Sequence, residues 1–379
     1  MIYIDQKEKC CGCEACVQVC PKSCIQMRAD KEGFFYPVID TKVCVECGAC
    51  DRVCPVLNPY KKRVPIQIWA AKTKKEKIRL KSSSGGVFSE LAIWVIRRGG
   101  VVFGVQFAKD WSVEHTYKEK EEDLELLRGS KYVQSRIGNT YKHVLEFLKQ
   151  ERWVLFSGTS CQISALNRFL KKKYDNLLTV ELVCHGVPNV KIWHSYLKEL
   201  TDKGKNTIQQ IQFRNKETGW KKYNFVCLKD KRCYTEVFNK NPYMKGFIQD
   251  LYLRPSCYLC PSKAFATESD LALADFWGVQ YLYPQLDDDL GIGTVFVHSS
   301  KAEHILKDLS LHMESISVPL EELVRYNRAI SFSSRKVLFL KRKLFFWGIN
   351  FAIPFSWLAN FLSKKWGIVG LVKKLIGGR

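Results

Sequence analysis

Acidic residues are scarce in this chain. Its 379 residues carry 60 Lys and Arg against 38 Asp and Glu, a formal net charge of +22. The deficit is local. Residues 61–81 hold nine basic side chains and one acid, Glu76, and residues 335–379 hold ten basic side chains and no acid. These two stretches account for most of the net charge, so the region between them is nearly neutral. A charge confined to a linker and a tail is not the basic surface interleaved with aromatics that nucleic acid requires, and no nucleic-acid partner is expected. Behind Met1–Asp5 there is no apolar run, since charge and cysteine follow at once. A secretory signal is therefore not expected, and the reading is cytoplasmic.

A third absence lies near the other end. Residues 344–363 contain no charged side chain, a length that suits a membrane span. Gly348, Asn350, Pro354, Ser356 and Asn360 interrupt it, however, and Lys341, Arg342, Lys343, Lys364 and Lys365 flank its Phe and Trp residues. That pattern fits an amphipathic helix lying in the inner face of a membrane better than one crossing it. Docking of the tail on the rest of the chain is the competing reading.

Cysteine is what the chain has in excess. There are 16, and ten fall in the first 54 residues. With 46% hydrophobic residues a core needs no disulfides, so clustered cysteines point to metal-bound thiolates in a reducing compartment. Residues 10–21 read Cys10-x2-Cys13-x2-Cys16-x3-Cys20-Pro21 once the extra Cys11 is set aside. Residues 44–55 repeat this as Cys44-x2-Cys47-x2-Cys50-x3-Cys54-Pro55. This is the run of two-cluster [4Fe-4S] ferredoxins, in which the fourth thiolate of each run crosses to the other cluster. Cys10, Cys13, Cys16 and Cys54 are expected to hold one cluster; Cys20, Cys44, Cys47 and Cys50 the second. Paired C-x2-C units also bind zinc, but zinc calls for no such repeat ending in Cys-Pro. Cys11 and Cys24 read as bystanders.

Four regions follow: a two-cluster ferredoxin domain over 1–58, a basic linker over 59–81, a body over 82–330, and a basic aromatic tail over 335–379. The body alternates apolar runs with helical patterns. Ser84–Arg98 reads as a helix, Val101–Phe107 as a strand, and Trp153–Phe156 and Leu177–Val183 as further strands separated by a helix over Gln162–Lys172. Three short strands near Ile208–Phe213, Asn224–Leu228 and Cys233–Phe238 read as antiparallel. The fold class is α+β: a bacterial-ferredoxin-like module, a mixed α/β flavin-binding body and a helical tail. Cys227 and Cys233, on adjacent strands, read as core thiols facing each other.

Several motifs occur in a telling order: S-S-S-G-G-V-F-S at 82–89, G-S-K-Y-V-Q-S at 129–135, F-S-G-T-S-C-Q-I-S-A-L at 156–166, C-H-G-V-P at 184–188, C-Y-L-C-P at 257–261 and D-L-A-L-A-D-F-W-G at 270–278. Together with the ferredoxin module they make residues 1–330 resemble the family of coenzyme F420 hydrogenase/dehydrogenase beta subunits in its ferredoxin-fused form. The resemblance implies an FAD-dependent oxidoreductase with an iron–sulfur cluster near the flavin. Members act on varied partners, deazaflavin coenzymes and tetrapyrrole derivatives among them. It points to Ser83, Ser84, Gly85, Gly86, Gly129, Ser130, Lys131, Tyr132, Ser157, Gly158, Thr159, Ser160 and Gln162 as cofactor-binding residues. The family commonly has proline where Ser160 stands. Small residues at a turn before a helix suit a flavin edge or a phosphate, though Ser82–Ser84 also fit an ordinary helix cap. Lys131 has two readings, a charge facing reduced flavin or phosphate and a solvated lysine.

Cys257-x2-Cys260-Pro261 is half of a cluster site, and Cys161 and Cys184 complete a candidate third [4Fe-4S] cluster. His185, beside Cys184, is the candidate proton donor to a substrate. Asp275 is expected to fix a loop and Trp277 to exclude water. The combined expectation is an iron–sulfur flavoprotein that takes electrons from a ferredoxin-like or other low-potential donor and reduces an organic substrate or deazaflavin-like coenzyme. The alternatives are an electron-relay subunit of a larger complex and a non-catalytic redox sensor at the membrane.

Overall fold

The structure is a computed structural model that describes residues 2–230 and 232–363. The two cysteine runs form loops that each lead into one short helix, Ala15–Val19 and Ala49–Arg52. Between them β1 (Ile25–Ala29) and β2 (Phe35–Ile39) pair as an antiparallel hairpin. The strands of the body continue with β3 (Gln67–Thr73), β4 (Val101–Phe107), β5 (Val113–Lys118), β6 (Val154–Thr159) and β7 (Leu177–Leu182). Next come β8 (Ile208–Asn215), β9 (Asn224–Lys229) and β10 (Arg232–Val237), a separate antiparallel sheet, and then β11 (Leu271–Asp275), β12 (Gly293–Val297) and β13 (Met313–Ser317).

The large sheet has the order β13-β3-β12-β11-β7-β6-β4-β5. β4, β6, β7 and β11 run parallel, and the flanking pairs are antiparallel. Its strands are apolar on both sides because helices cover both faces. Along β4, Val101 and Phe103 enter the core shared with helices Thr140–Lys149 and Ser160–Leu170. Val102 enters the core shared with helix Val87–Ile96. This period of two in burial is what the pleat dictates.

Several expectations change. The stretch 59–81 is not simply a linker: β3 lies inside the large sheet, between β13 and β12, because Ile68, Trp69, Ala70 and Ala71 give it an apolar strand amid basic residues. The helix expected over Ser84–Arg98 begins at Val87, and a separate helix spans Glu76–Lys81. Ser82–Gly86 is the turn between them, and Gly86 has φ 82°, a left-handed value that ends one helix direction and starts another. Cys227 and Cys233 do not face each other. Cys227 pairs across the ladder with Tyr234 and Cys233 with Leu228, so a one-residue offset puts them on opposite faces, one buried and one exposed.

The tail also differs from the expected interfacial helix. Phe339–Asn350 and Phe355–Leu362 form two helices that fold back on the chain. Phe345, Phe346, Phe355, Leu358, Ala359 and Leu362 are buried in the core built by β8, β9 and the helices around them. The apolar face that was to meet a membrane is largely spent on the body, and Trp347, Phe351 and Trp357 remain outside. Among the described residues no helix is long and apolar enough to cross a membrane. Part of the tail expectation, residues 364–379, lies outside the described residues.

The tail is also a clasp on the ferredoxin module. Arg342 reaches the Glu32 carboxylate with Nη2 at 2.6 Å and Nε at 3.2 Å, and its Nη1 donates to the Leu253 carbonyl at 2.7 Å. Phe346 meets the fully buried Phe34 edge-on at 6.4 Å. Phe345, wedged between Tyr252 at 5.1 Å and Phe355 at 5.8 Å, anchors this helix. Truncating it in Phe345→Ala is expected to lower unfolding free energy by about 3–5 kcal/mol, as a core cavity of this size does. Denaturant titration would read this as a lower midpoint, and an unchanged midpoint would show that the tail is not part of the core.

Candidate functional site

One cavity of 310 Å³ opens at the carboxyl edge of β6, β7 and β11, the position where parallel strands leave room for ligands. Of the thirteen residues expected to bind a cofactor, twelve line it: Ser83, Ser84, Gly85, Gly86, Gly129, Ser130, Lys131, Tyr132, Ser157, Gly158, Thr159 and Gln162. Ser160 does not. It is the first residue of its helix, and its hydroxyl points away, donating to the buried Glu181 at 2.6 Å. The carboxyl of Glu181 is pushed up by burial, against the pull of Ser160, Thr267 and Ser269, which all bond to it.

The walls are tied together by short polar contacts. Ser83 and Ser130 hydroxyls are 2.8 Å apart, which joins the turn 82–86 to the 129–132 loop. Ser84 donates to the Ile292 carbonyl at 2.6 Å. Below the cavity runs a chain with one consistent direction. Gln162 Nε2 donates to Ser135 Oγ at 2.9 Å, Ser135 Oγ lies 3.0 Å from His115 Nδ1, and His115 Nε2 lies 3.2 Å from the Ser157 carbonyl. The carbonyl requires the proton on Nε2, which leaves Nδ1 to accept from Ser135. Burial holds His115 down to about 4, so this neutral arrangement persists at ordinary pH. Gln162 Oε1 meanwhile accepts from the Thr159 N–H at 2.9 Å, which caps the helix and orients the same side chain.

The lining is cationic. It holds Arg128, Lys131 and Arg214 and a single carboxylate, Asp275. Lys131 is half-buried, and its Nζ donates to the carbonyls of Arg128 at 2.9 Å and Gly129 at 3.3 Å. Burial pushes it down to about 7. Asp275, expected to fix a loop, instead receives Arg214 Nη1 at 2.6 Å. Trp277 stacks on Trp220 at 4.7 Å behind that pair. His185 lines the cavity with Nε2 2.7 Å from Asp250 Oδ1 and its ring 5.0 Å from Phe247.

These features suit a ligand that carries negative charge. The cavity lies at the lower end of the range of small-ligand sites and its cations suit phosphates; the turn beside it is pinned at Gly85, where backbone from two strands leaves no room for a side chain. A Cβ there would stand 2.2 Å from the Ala71 carbonyl oxygen and 2.7 Å from the Gly293 nitrogen.

Cys184 belongs to this cavity wall and also to a second constellation. Cys161, at the start of the helix after β6, and Cys184, after β7, converge with Cys257 and Cys260 from the turn Pro255–Leu259 and its end. All four are half-buried. Burial pushes the Cys184 thiol up to about 12, with Cys161 and Cys260 adding to the effect and Lys263 opposing it. It likewise pushes Cys260 up to about 11. Thiols crowded in this way resist ionising one beside the next, and iron, which binds the thiolates, would relieve that repulsion. Four thiols drawn from three segments are the number and type of ligand that a four-iron cluster takes.

In the ferredoxin module the chain brings together both expected sets. Cys16 faces Cys10 and Cys54, and Cys13 faces Cys16 and Cys54. Cys20, Cys44, Cys47 and Cys50 surround a small hollow of their own. The two bystanders are closer to the sites than expected. Cys24 lines that hollow, 3.4 Å from Cys20. Cys11 is buried between Cys13 of the module and Cys161 of the body. Sequence reading also missed Arg128, Arg214 and Arg254. Arg128 stands directly before the G-S-K-Y motif, which was a usable signal; Arg214 lies near the end of β8 with no motif around it.

The sequence matches two family models for the beta subunit of coenzyme F420 hydrogenase/dehydrogenase, the N-terminal one over residues 68–140 and the C-terminal one over 151–319. The 4Fe-4S dicluster domain matches residues 9–58. A subunit of the F(420)H(2) dehydrogenase of Methanosarcina mazei is 24% identical over 190 residues, 47% of this chain and 54% of that relative, so the alignment spans about half of the relative's length. A ferredoxin of Hydrogenibacillus schlegelii named Ferredoxin 7Fe is 38% identical over 72 residues, 18% of this chain and 86% of its own. Among solved structures, a chain of the F420-reducing [NiFe] hydrogenase complex from Methanosarcina barkeri superposes with a TM-score of 0.47 at 17% identity, covering 81% of this chain and 94% of that one.

Proposed function

Since the chain belongs to the family of coenzyme F420 hydrogenase/dehydrogenase beta subunits and carries a 4Fe-4S dicluster domain, we propose that it is an iron–sulfur flavoprotein oxidoreductase that transfers electrons from ferredoxin-type clusters to FAD for reduction of an organic substrate or deazaflavin-like coenzyme. The observation that carries this reading is Cys184, which stands at once in the wall of the cavity and among four converging cysteines. FAD, when bound, exchanges electrons singly or in pairs, the property needed between one-electron clusters and a two-electron substrate.

The chain's own residues divide the remaining work. The turn 82–86 and the 129–132 loop would hold the flavin between them, with Arg128 and Lys131 offsetting its negative charge. Cys10, Cys13, Cys16 and Cys54 would ligate one ferredoxin cluster and Cys20, Cys44, Cys47 and Cys50 the other. Cys161, Cys184, Cys257 and Cys260 would ligate the third. His185 would deliver a proton at the cavity wall, with the Asp250 carboxylate beside its imidazole. Electrons would enter near Cys47, an exposed cysteine close in sequence to the exposed Val43 and Val45, which offer an apolar landing surface for a donor protein.

A second reading, a relay component that passes electrons within a larger complex, is favoured by the relative named as part of a dehydrogenase. The deciding experiment quantifies iron, acid-labile sulfide and released flavin on anaerobically purified protein. About twelve irons with one FAD per chain, by cubane arithmetic, are expected. About eight irons and no flavin, even after FAD is offered, would remove the catalytic claim and leave a relay.

A further inference from the structure

Arg254 is a buried charged side chain that links the ferredoxin module to the turn bearing Cys257. It is 1% exposed. Its Nε donates to the Cys10 carbonyl at 2.7 Å and its Nη2 to the Phe35 carbonyl at 2.8 Å, both in the module. Nη2 also lies 3.5 Å from the Cys10 sulfur. Nη1 meets Gln134 Oε1 at 3.2 Å, and Gln134 Nε2 donates to the Cys11 carbonyl at 3.0 Å. On its other side Arg254 leads into the turn Pro255–Leu259, and its carbonyl accepts the N–H of Cys257 at 2.9 Å. Gly12 has no room for a side chain because a Cβ would sit 2.7 Å from Arg254 Nη1.

A buried guanidinium costs free energy unless it faces negative charge. Among the described residues no carboxylate bonds to it. Its partners are carbonyls, an amide, a cysteine sulfur and the ring faces of Tyr36 at 4.6 Å and Phe34 at 5.6 Å, with the Glu14 carboxylate near enough to feel its charge and the thiols of Cys10, Cys11 and Cys257 around it. A four-thiolate [4Fe-4S] cluster is an anion, and it gains one more negative charge when reduced. A fixed cation and an N–H···S bond both favour the reduced form, so each raises the reduction potential.

We infer that Arg254 is the positioning residue that sets the reduction potential of the cluster ligated by Cys10 and thereby makes the Cys10–Cys257 junction the crossing point from module to body. The inference rests on the proposed function's reading that Cys10 is a cluster ligand. The step it governs is the transfer of one electron, supplied by the low-potential donor, with no bond made or broken. The cluster held by Cys20, Cys44, Cys47 and Cys50 has no part in this contact and should not feel it.

The test is a potentiometric titration of the full chain followed by electron paramagnetic resonance, comparing the unaltered protein with Arg254→Gln and Arg254→Lys. In Arg254→Gln the cluster ligated by Cys10, whose sulfur the guanidinium meets directly, is expected to titrate at lower potential, with about a tenfold smaller ratio of reduced to oxidised form at the unaltered midpoint, equivalent to about 59 mV for one electron; any shift at the Cys257 cluster, which the same charge reaches without such a contact, should be smaller. Arg254→Lys, which keeps charge but loses the planar fork, should shift less. The far ferredoxin cluster should keep its potential. Unchanged potentials throughout, or an equal shift of both ferredoxin clusters, would overturn the inference. Should Arg254→Gln fail to assemble, Gln134→Glu sets a carboxylate against the same guanidinium and should lower the same potential; no shift there would be equally fatal. Iron counted on the unaltered protein reports separately whether the clusters exist, so failure of the underlying reading is distinguishable.

Discussion

Cys184→Ser is expected to reduce iron from about twelve to about eight per chain. A serine hydroxyl ionises far less readily than a thiol and is a poor iron ligand, so one lost thiolate from a half-buried site empties the site. The four cysteines involved come from three separate segments, and among the described residues the cysteine placed to substitute is Cys11, which lies against Cys161. The two ferredoxin clusters draw no ligand from the body and should survive. Reduction of bound flavin by a one-electron donor should then slow by orders of magnitude, because the gap between module and cavity loses its intermediate carrier. Cys233→Ser is the control: this cysteine is exposed on β10 and should change neither iron nor rate. Twelve irons retained in a Cys184→Ser, Cys11→Ser double variant, which removes the substitute ligand as well, would sink the assignment of a third cluster to this constellation.

The dicluster domain was legible because the chemistry of its cysteines is written in short spacing. Three thiolates within seven residues can wrap one cluster whatever the rest of the chain does. The cavity loops were legible for a similar reason, since small residues after apolar strands mark where a parallel sheet leaves room for a ligand. What stayed illegible depends on distant partners. Arg342 and Glu32 are 310 residues apart in sequence, and Arg254 and Cys10 are 244 apart. Nothing in the local pattern of either basic residue says which carboxylate or sulfur it meets. The tail shows the same limit from the apolar side. Phe345 and Phe346 fit a lipid interface or a protein core equally well, and only the groove left beside Tyr252 and Phe34 decides between them. Ser160 was misread because a residue at a helix start can turn its hydroxyl to either side, and the buried Glu181 captured it.

Gly85→Ala should abolish or severely weaken flavin binding, with at least a tenfold rise in the flavin dissociation constant, while leaving iron content unchanged. The argument is steric. The three nearest atoms to a Cβ at this position are the Ala71 carbonyl oxygen at 2.2 Å, the Gly293 nitrogen at 2.7 Å and Lys72 Cα at 3.2 Å. All are backbone, and they belong to β3 and β12, neighbours inside the large sheet, so none can swing aside as a side-chain tip would. The turn must move instead. It is held there by the Thr73 N–H, which donates to the Gly85 carbonyl at 2.7 Å, and by Ser84 on Ile292. Displacing it breaks these bonds and shifts Ser83 from Ser130, which opens the seam between the two loops proposed to grip the flavin. Overpacking of this kind costs about 1–3 kcal/mol, and about 1.4 kcal/mol is already tenfold in affinity. Gly99→Ala separates this from a general loss of stability: Gly99 has φ 70° but open space around it and lies away from the cavity, so it carries backbone strain without the collision. Flavin titration of both variants reads the difference. Equal affinity in Gly85→Ala and the unaltered chain would mean that the turn 82–86 does not hold the flavin, and the proposed cofactor site would have to be given up.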